Sequence, residues 1–342
     1  MEGLKSDYID KRRDATEELF ELTKHENITE IKLLIVSCGV IKPLVSMLLS
    51  EDIKIQENAV NVLKTLSFVH EYRIEIAKAD AILPLIRVLK TGNLITRANS
   101  ATVLGELSRI ENSNIKIGGP QVINSLVELL NCNDTLGNNR ASYALYRLSQ
   151  YPENNVSILQ AGAVKHLVNL MDSSTIMFEW IVGTLWHLAR LPYGRSEIWR
   201  NGGIQMLVKW LHLGSNEVKC YVVAALLELC LNSNLFCEIA LQEGAIQPLV
   251  ALIQSGYYIN EKANFLLNHF NSVTCDYNNE DILLDMQVMF NEDELLELPY
   301  NDAVEKVKDE DDDEENEQWL SSHNYSLPTR IRIRPPMFQE YE

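Results

Sequence analysis

The sequence predicts an all-α protein, a solenoid assembled from six copies of one helical repeat. A seven-residue anchor of the type at 162–168, Gly-Ala-Val-Lys-His-Leu-Val, occurs six times. Its leucine recurs every 40 to 42 residues, at positions 44, 85, 126, 167, 207 and 249. Self-similarity with a period of this length is typical of helical solenoids, and six copies in register make coincidence untenable.

Each repeat is predicted to contain a short first helix, a second helix that carries the anchor, and a long third helix. In four repeats a glycine precedes the second helix, where it permits a positive φ angle at a sharp turn. These glycines are Gly39, Gly162, Gly202 and Gly244. Asp80 replaces glycine in the second repeat and can adopt the same conformation. Gln121 replaces it in the third, where the preceding 118–120, Gly-Gly-Pro, is predicted to make the turn.

The third helices have apolar residues at i, i+4 and i+7, which predicts one buried stripe per helix. Ala141, Leu145 and Leu148 form this stripe in the third repeat, and the other repeats have small or apolar residues at the equivalent positions. Upstream of the first anchor, 15–22 resembles a third helix that lacks the rest of its repeat. We therefore predict an N-terminal cap helix there.

The acidity of the sequence is concentrated at one end. The formal net charge is −18, and −15 of it belongs to 276–342, which contain 20 acidic and 5 basic residues. We predict a solenoid over 1–272 and an acidic, largely disordered tail over 273–342. This distribution argues against partners such as nucleic acid or an anionic membrane.

Two parts of the tail have their own predictions. The apolar and acidic stretch at 281–298 is predicted to form a helix that caps the last repeat, and a linear binding motif is the alternative. Eight of the nine residues at 309–317 are acidic, which favours disorder because like charges repel and no apolar surface offsets the loss of chain entropy.

Motifs for catalysis and metal binding are missing from the sequence. It contains no glycine-rich phosphate loop, no G-x-S-x-G and no H-E-x-x-H. The spacings of Cys220, Cys230 and Cys237 do not supply paired zinc ligands. We therefore predict a non-catalytic protein with no cofactor and no metal. Residues 1–13 lack the apolar stretch of a signal peptide, and no run approaches 18 apolar residues, so we expect a cytoplasmic or nuclear protein.

Three segments resemble a known family. They are Glu-Asn-Ala-Val-Asn-Val-Leu-Lys-Thr-Leu-Ser at 57–67, Ile-Ala-Lys-Ala-Asp-Ala-Ile at 76–82 and Glu-Gly-Ala-Ile-Gln-Pro-Leu-Val at 243–250. They are similar to armadillo repeats, most closely those of plant U-box ubiquitin ligases, and the resemblance covers about 14–270. It implies a right-handed α-solenoid of about six armadillo repeats, a monomer that docks a protein or an extended peptide segment in its concave groove.

No segment of the sequence resembles the U-box itself, so the resemblance does not carry ligase activity with it. The function that it implies is a non-catalytic protein–protein interaction scaffold or adaptor. The alternative is a substrate-docking component of a ubiquitin-ligase system that acts with a separate catalytic subunit.

The candidate binding residues are equivalent positions of the six third helices. Importin-α, another armadillo protein, uses an asparagine at this position and a tryptophan one turn earlier. Here the asparagine position is occupied by Thr65, Glu106, Arg147, His187, Glu228 and His269, which we call the third-helix column. Because this sequence has neither the row of asparagines nor the row of tryptophans, binding of nuclear import signals is not expected.

The resemblance places the third-helix column on the concave face. Its mixed charge fits a specific protein ligand, and a solvated surface is the alternative. Tyr143 lies one turn before Arg147, and Trp186 adjoins His187, so that aromatic and arginine side chains, which are enriched in binding hot spots, occur together. We predict a partner centred on Arg147 and His187, with Arg147 adding little to stability and the His187 imidazole titrating near ~6.5.

Overall fold

The computed structural model describes the residues 2–24, 37–110, 117–172, 178–256 and 260–275. Over these residues it contains 17 α-helices, a short 3-10 helix at Gly3–Lys5 and no strand. The α-helices in chain order are α1 Ile9–Leu22, α2 Ile41–Met47, α3 Ile53–Ser67, α4 His70–Lys78, α5 Ile82–Thr91, α6 Leu94–Leu107, α7 Pro120–Leu130, α8 Thr135–Ser149, α9 Pro152–Gln160, α10 Ala163–Leu170, α11 Phe178–Ala189, α12 Pro192–Arg200, α13 Gly203–Leu213, α14 Asn216–Leu231, α15 Asn234–Gln242, α16 Ile246–Gln254 and α17 Asn260–Cys275.

The helices follow the predicted order of short, anchor-bearing and long helix. The second helices are α2, α5, α7, α10, α13 and α16, and the third helices are α3, α6, α8, α11, α14 and α17. First helices of four repeats are α4, α9, α12 and α15. The predictions for 281–298 and 309–317 lie outside the described residues, and the domain boundary predicted after 272 falls within α17.

A left-handed backbone conformation precedes the second helix in five of the six repeats. The φ angles are 71° at Gly39, 58° at Asp80, 71° at Gly162, 74° at Gly202 and 83° at Gly244. Asp80 therefore takes the place of glycine as expected, since aspartate tolerates this region better than most residues. In the third repeat Gly119 is extended instead, and Pro120 begins α7, where its missing N–H costs no helical hydrogen bond.

The core lies between the second and third helices. All six anchor leucines have a relative exposure of 0%, and so do Ala141, Leu145 and Leu148 of the stripe in α8. Side-chain caps define where several third helices begin. Asp52 accepts hydrogen bonds from the backbone N–H groups of Lys54 and Ile55 in α3, and such caps satisfy donors that the helix itself cannot.

The third helices form one continuous layer through the described repeats. Each contacts the next, from α3 to α6, α8, α11, α14 and α17, and α1 packs against α3 at the N-terminal end. The cap helix predicted at 15–22 is therefore confirmed. Its Arg13 Nη2 lies 2.5 Å from Asp52 Oδ2, the same carboxylate that caps α3.

Consecutive repeats are also joined by polar contacts at the ends of the third helices. Arg73 of α4 donates from Nε to the Ser67 carbonyl oxygen at 2.9 Å, and Asn154 of α9 donates from Nδ2 to the Leu148 carbonyl oxygen at 3.0 Å. The last carbonyl groups of a helix lack partners within it, so these side chains stabilise the junction. At these two junctions, the following repeat thus completes the helix end of the repeat before it.

Candidate partner-binding surface on the third helices

The eight predicted site residues lie on successive third helices, with different degrees of burial. Glu106, Tyr143 and Arg147 are buried, at 1%, 2% and 6% relative exposure. The remaining five are half-buried: Thr65, Trp186, His187, Glu228 and His269. The prediction that these residues bind a partner stays a prediction, but the buried members are joined to one another in a way that spacing alone did not indicate.

Three arginines converge on the carboxylate of Glu106, and we call these four residues the arginine cluster. Arg73 Nη2 lies 2.5 Å from Oε2, Arg109 Nη1 lies 3.0 Å from Oε2, and Arg147 Nη2 lies 3.6 Å from Oε1. The Tyr143 hydroxyl donates a hydrogen bond to Oε1 and accepts one from Arg147 Nε at 3.0 Å. One carboxylate thus connects a first helix and two third helices.

The arginine cluster changes the role expected of Arg147. Because its side chain is buried and ion-paired, the expectation that Arg147 is dispensable for stability is wrong. Charges of one sign also crowd this site: burial lowers the pKa of Arg73, Glu106 raises it, and the charges of Arg109 and Arg147 lower it further. Only Arg109 reaches solvent substantially, with 39% of its side chain exposed.

His187 is held in a contact between repeats and is a poor proton acceptor. Its Nδ1 lies 2.9 Å from the Ser149 hydroxyl of α8, and its ring stacks on Tyr146 with centroids 5.8 Å apart. Burial, reinforced by the charge of Arg190, lowers the pKa of His187 to about 4. The expectation that His187 titrates near ~6.5 is therefore wrong, and the imidazole is neutral at physiological pH.

Aromatic rings extend from α8 to α14 beside the column. Tyr146, Trp186, His187 and Tyr221 form this aromatic cluster. The Trp186 ring centroid lies 4.9 Å from that of His187 and 6.1 Å from that of Tyr221. The ammonium group of Lys262 on α17 lies 5.2 Å from the Trp186 ring centroid, which is a cation–π distance. Burial lowers the pKa of Lys262, and the charge of Glu228 opposes this effect.

Sequence comparison of the column missed Tyr221 and Lys262. In α14 and α17, these residues lie one helical turn before the position equivalent to Tyr143 of α8. They therefore lie on the same face of the third-helix layer. Extending the comparison of repeats by one turn towards the N-terminus of each third helix would have found them.

The described residues contain no group of three or more His, Cys, Asp or Glu side chains placed to hold a metal ion. Cys230 and Cys237 are buried, and the Cys237 thiol lies 3.2 Å from the Cys230 carbonyl oxygen. Burial raises the pKa of the Cys230 thiol well above its ordinary value. Among the described residues no single helix is long and apolar enough to cross a membrane. The helices α15 and α16 reach the required length and apolarity only when taken together, and the pair is bent by 82°.

Comparison with protein families extends this description. The model of the plant U-box protein ARM repeat region matches residues 78–279, more than half of the chain. The chain belongs to this armadillo-repeat family. A second model, the armadillo/beta-catenin-like repeat, matches 29–68 of this armadillo protein. The predicted family and the predicted solenoid fold are thereby confirmed.

A U-box protein is similar to part of this armadillo protein, and solved solenoid structures share its fold. U-box domain-containing protein 4 of Arabidopsis thaliana is 44% identical over 68 residues, which are 20% of this chain and 8% of that protein. The chain therefore corresponds to less than a tenth of that relative. A solved structure from work on a phosphorylation switch in the interaction between cadherin and beta-catenin has a TM-score of 0.71 at 18% identity, over 86% of this chain and 55% of the other.

A designed armadillo repeat protein in complex with the peptide (KR)4 also has this fold. Its TM-score is 0.58 at 20% identity, and the match covers 67% of this chain and 99% of the designed one. At this level of identity the likeness concerns the fold alone.

Proposed function

We propose that this armadillo protein is a non-catalytic protein-interaction scaffold that binds an extended partner segment along its third-helix layer, in the concave groove of the solenoid. The observation that carries the proposal is the aromatic cluster, which brings together rings from three successive repeats, α8, α11 and α14, with Lys262 of a fourth beside them. Trp186 and His187 are half-buried.

The geometry of a solenoid suits an extended ligand. Packed helices lie ~8–10 Å apart, and an extended chain advances ~3.3 Å per residue. About three ligand residues therefore correspond to one repeat, and alternate ligand side chains point towards the layer. Large rings beside a cation provide contact area with little loss of side-chain entropy, which is typical of binding hot spots.

Proteins that share this fold support the same class of function. The designed armadillo protein is in complex with a peptide, and the beta-catenin work concerns an interaction with cadherin. We extend protein binding to this chain on that basis. We further propose that the protein acts as a monomer in the cytoplasm or nucleus, without nucleic-acid or membrane partners.

A second candidate function follows from the family match. Residues 78–279 match an armadillo region that takes its name from U-box proteins, and U-box domain-containing protein 4 is similar over a short segment. On this proposal the chain would be a substrate-docking component of a ubiquitin-ligase system, and a separate subunit would supply catalysis. Co-purification with ubiquitin-conjugating machinery would favour it over a general scaffold.

The scaffold proposal is tested by comparing three purified proteins as baits in a cell extract. The test variant is Trp186→Ala with Lys262→Ala. The matched control is Leu83→Ala with Arg87→Ala, which also removes one apolar and one basic side chain, both exposed on the second helix α5. We expect the test variant to lose partners that wild type and control retain, as measured by quantitative mass spectrometry. Equal recovery by all three would exclude this surface.

A further inference from the structure

Arg109 and Arg190 occupy equivalent positions two repeats apart. Each follows the last stripe leucine of its third helix, Leu107 or Leu188, by two residues. Since packed helices lie ~8–10 Å apart, the two arginines are about 20 Å apart. The Arg109 side chain is 39% exposed, and Arg190 is exposed. Both guanidinium groups therefore reach solvent at the C-terminal end of the third-helix layer.

Positive charge exceeds negative charge around these two residues. In the arginine cluster three guanidinium groups share the single carboxylate of Glu106. Arg190 is exposed, and no ion pair joins it to another of the described residues. One further carboxylate lies near the cluster: burial raises the pKa of the Tyr151 phenol, the charges of the three cluster arginines lower it, and the charge of Glu153 raises it. Among the described residues, the three arginines of the cluster therefore face two carboxylates, while Glu228, the acid near the C-terminal end of α14, acts on Lys262.

This local excess persists although the chain as a whole is acidic. Charges beyond ~10 Å are largely screened at moderate ionic strength, so the nearest groups determine the field at a surface. Several acids of the third helices lie at the opposite, N-terminal end of the layer, namely Glu179 on α11, Glu217 on α14 and Glu261 on α17. An anionic ligand group is therefore favoured at the C-terminal end.

We propose that the partner segment is acidic and that its carboxylates bind Arg109 and Arg190. This inference rests on the proposed function and specifies the chemistry of the partner. Arg109 shares its recorded ion pair with two other arginines, so its remaining N–H donors can serve a second carboxylate, and a guanidinium group binds carboxylates with two parallel hydrogen bonds. The ligand is opposite in sign to the (KR)4 peptide of the designed armadillo complex.

The separation of the two arginines sets the spacing of the acids. A distance of about 20 Å corresponds to about six residues of an extended chain, and residues separated by an even number lie on the same side of it. Two acids six residues apart therefore reach both arginines at once. Apolar side chains at the even positions between them would then lie over the Tyr146 ring of the intervening repeat and the His187 ring beside Arg190.

The test uses a fluorescein-labelled peptide with two glutamates six residues apart, two leucines at the even positions between them, and serines elsewhere. Binding to the full chain is followed by fluorescence anisotropy. A peptide with lysines in place of both glutamates is the charge-reversed probe, and one with the glutamates five residues apart tests the geometry. We expect the first peptide to bind at least about tenfold more tightly than either, and salt to weaken its binding.

The protein variant is Arg109→Gln with Arg190→Gln, and its matched control is Arg87→Gln with Lys165→Gln, which removes two exposed positive charges from second helices. We expect about tenfold weaker peptide binding in the first and no change in the second, with equal helical circular dichroism. Equal binding of both glutamate peptides, or equal affinity of the two variants, would overturn the inference. If the glutamate peptide binds only after 309–317 are deleted, that acidic segment competes for the site in the full chain. This outcome would overturn the assignment of the site to a partner.

The two levels of proposal fail differently. If the variant with Trp186→Ala and Lys262→Ala loses native partners while the one with Arg109→Gln and Arg190→Gln keeps them, the scaffold function stands and the acidic partner is wrong. If neither loses partners, the surface itself is wrong.

Discussion

The hydroxyl oxygens of Tyr146 and Tyr221 lie 3.0 Å apart, although one repeat lies between the third helices that carry the two residues. Their rings meet edge to face with centroids 6.0 Å apart. The helix between them, α11, has Gly183 at the crossing point. A Cβ atom there would lie 2.6 Å from Tyr146 Cε2 and 3.5 Å from Tyr221 Cε1. The missing side chain of Gly183 therefore lets two rings meet across a third repeat.

We accordingly predict that Gly183→Ala destabilises the protein, although alanine is the better helix former. Overpacking of a buried site costs ~1–3 kcal/mol, which exceeds the gain of ~0.5–1 kcal/mol in helix propensity. The measurement is the free energy of unfolding in urea. Tyr146→Ala provides the control, because Gly183→Ala should become neutral or stabilising once that ring is removed. Additive effects of the two substitutions would contradict the proposed clash.

The arginine cluster gives a prediction about stability. Glu106→Gln removes the carboxylate that pairs with three guanidinium groups, and breaking a buried ion pair from one side costs ~3–5 kcal/mol. Arg109→Gln should cost less than ~1 kcal/mol, because its side chain is 39% exposed and Glu106 keeps two other arginines. Urea denaturation of both variants checks the difference. A similar loss in both would mean that the cluster is not cooperative.

The sequence predicted the architecture because the repeat period and the apolar stripe are local, repeated signals. Even the replacement of glycine by Asp80 followed from backbone preferences. The arginine cluster was out of reach for a different reason. Arg73 lies on a first helix, 33 residues from Glu106, whereas the third-helix column compares equivalent positions of third helices only. Alignment of repeats indicates which residues occupy equivalent positions on the third helices, but not which residues of other helices contact them.

The same limit explains the error at His187. An ordinary histidine pKa was the only value that the sequence could offer, because its depression depends on burial and on the charge of Arg190. Ser149 and Tyr146, which hold the ring, come from the preceding repeat. Spacing placed His187 in the row formed by the third helices, and packing between repeats decided its chemistry.

The depressed pKa of His187 predicts a loss of stability on acidification. In the unfolded chain an imidazole binds a proton near ~6.5, whereas in the folded protein His187 binds one only near a pKa of about 4. Between these values the unfolded state binds more protons, so the free energy of unfolding falls as the pH falls through this window. Above about pH 7 both states are neutral and His187 contributes no pH dependence.

This prediction is checked by urea denaturation of wild type, His187→Gln and His166→Gln at pH 7.5 and pH 5. His166 is a half-buried histidine on the second helix α10 and serves as the control. We expect wild type and His166→Gln to lose ~1–3 kcal/mol more than His187→Gln between the two pH values. Identical losses in all three proteins would show that His187 is protonated normally in the folded state.

The last prediction concerns how the N-terminal cap helix is held. Asp52 has two tasks: it caps α3 through the N–H groups of Lys54 and Ile55, and it pairs with Arg13 of α1. The hydrogen bond from Arg13 is the main cause of a lowered Asp52 pKa. Asp52→Asn keeps a capping oxygen but removes the charge, while Asp52→Ala removes both.

We therefore expect Asp52→Ala to lower the free energy of unfolding by ~1–2 kcal/mol, as for other lost N-caps, and Asp52→Asn to lower it by less than ~1 kcal/mol, since exposed ion pairs contribute little. Hydrogen exchange separates the two tasks. In Asp52→Asn, faster exchange should be confined to α1, because α3 keeps its cap. In Asp52→Ala it should also reach the first turn of α3. Unchanged protection of α1 in both variants would mean that apolar packing on α3 alone holds the cap helix.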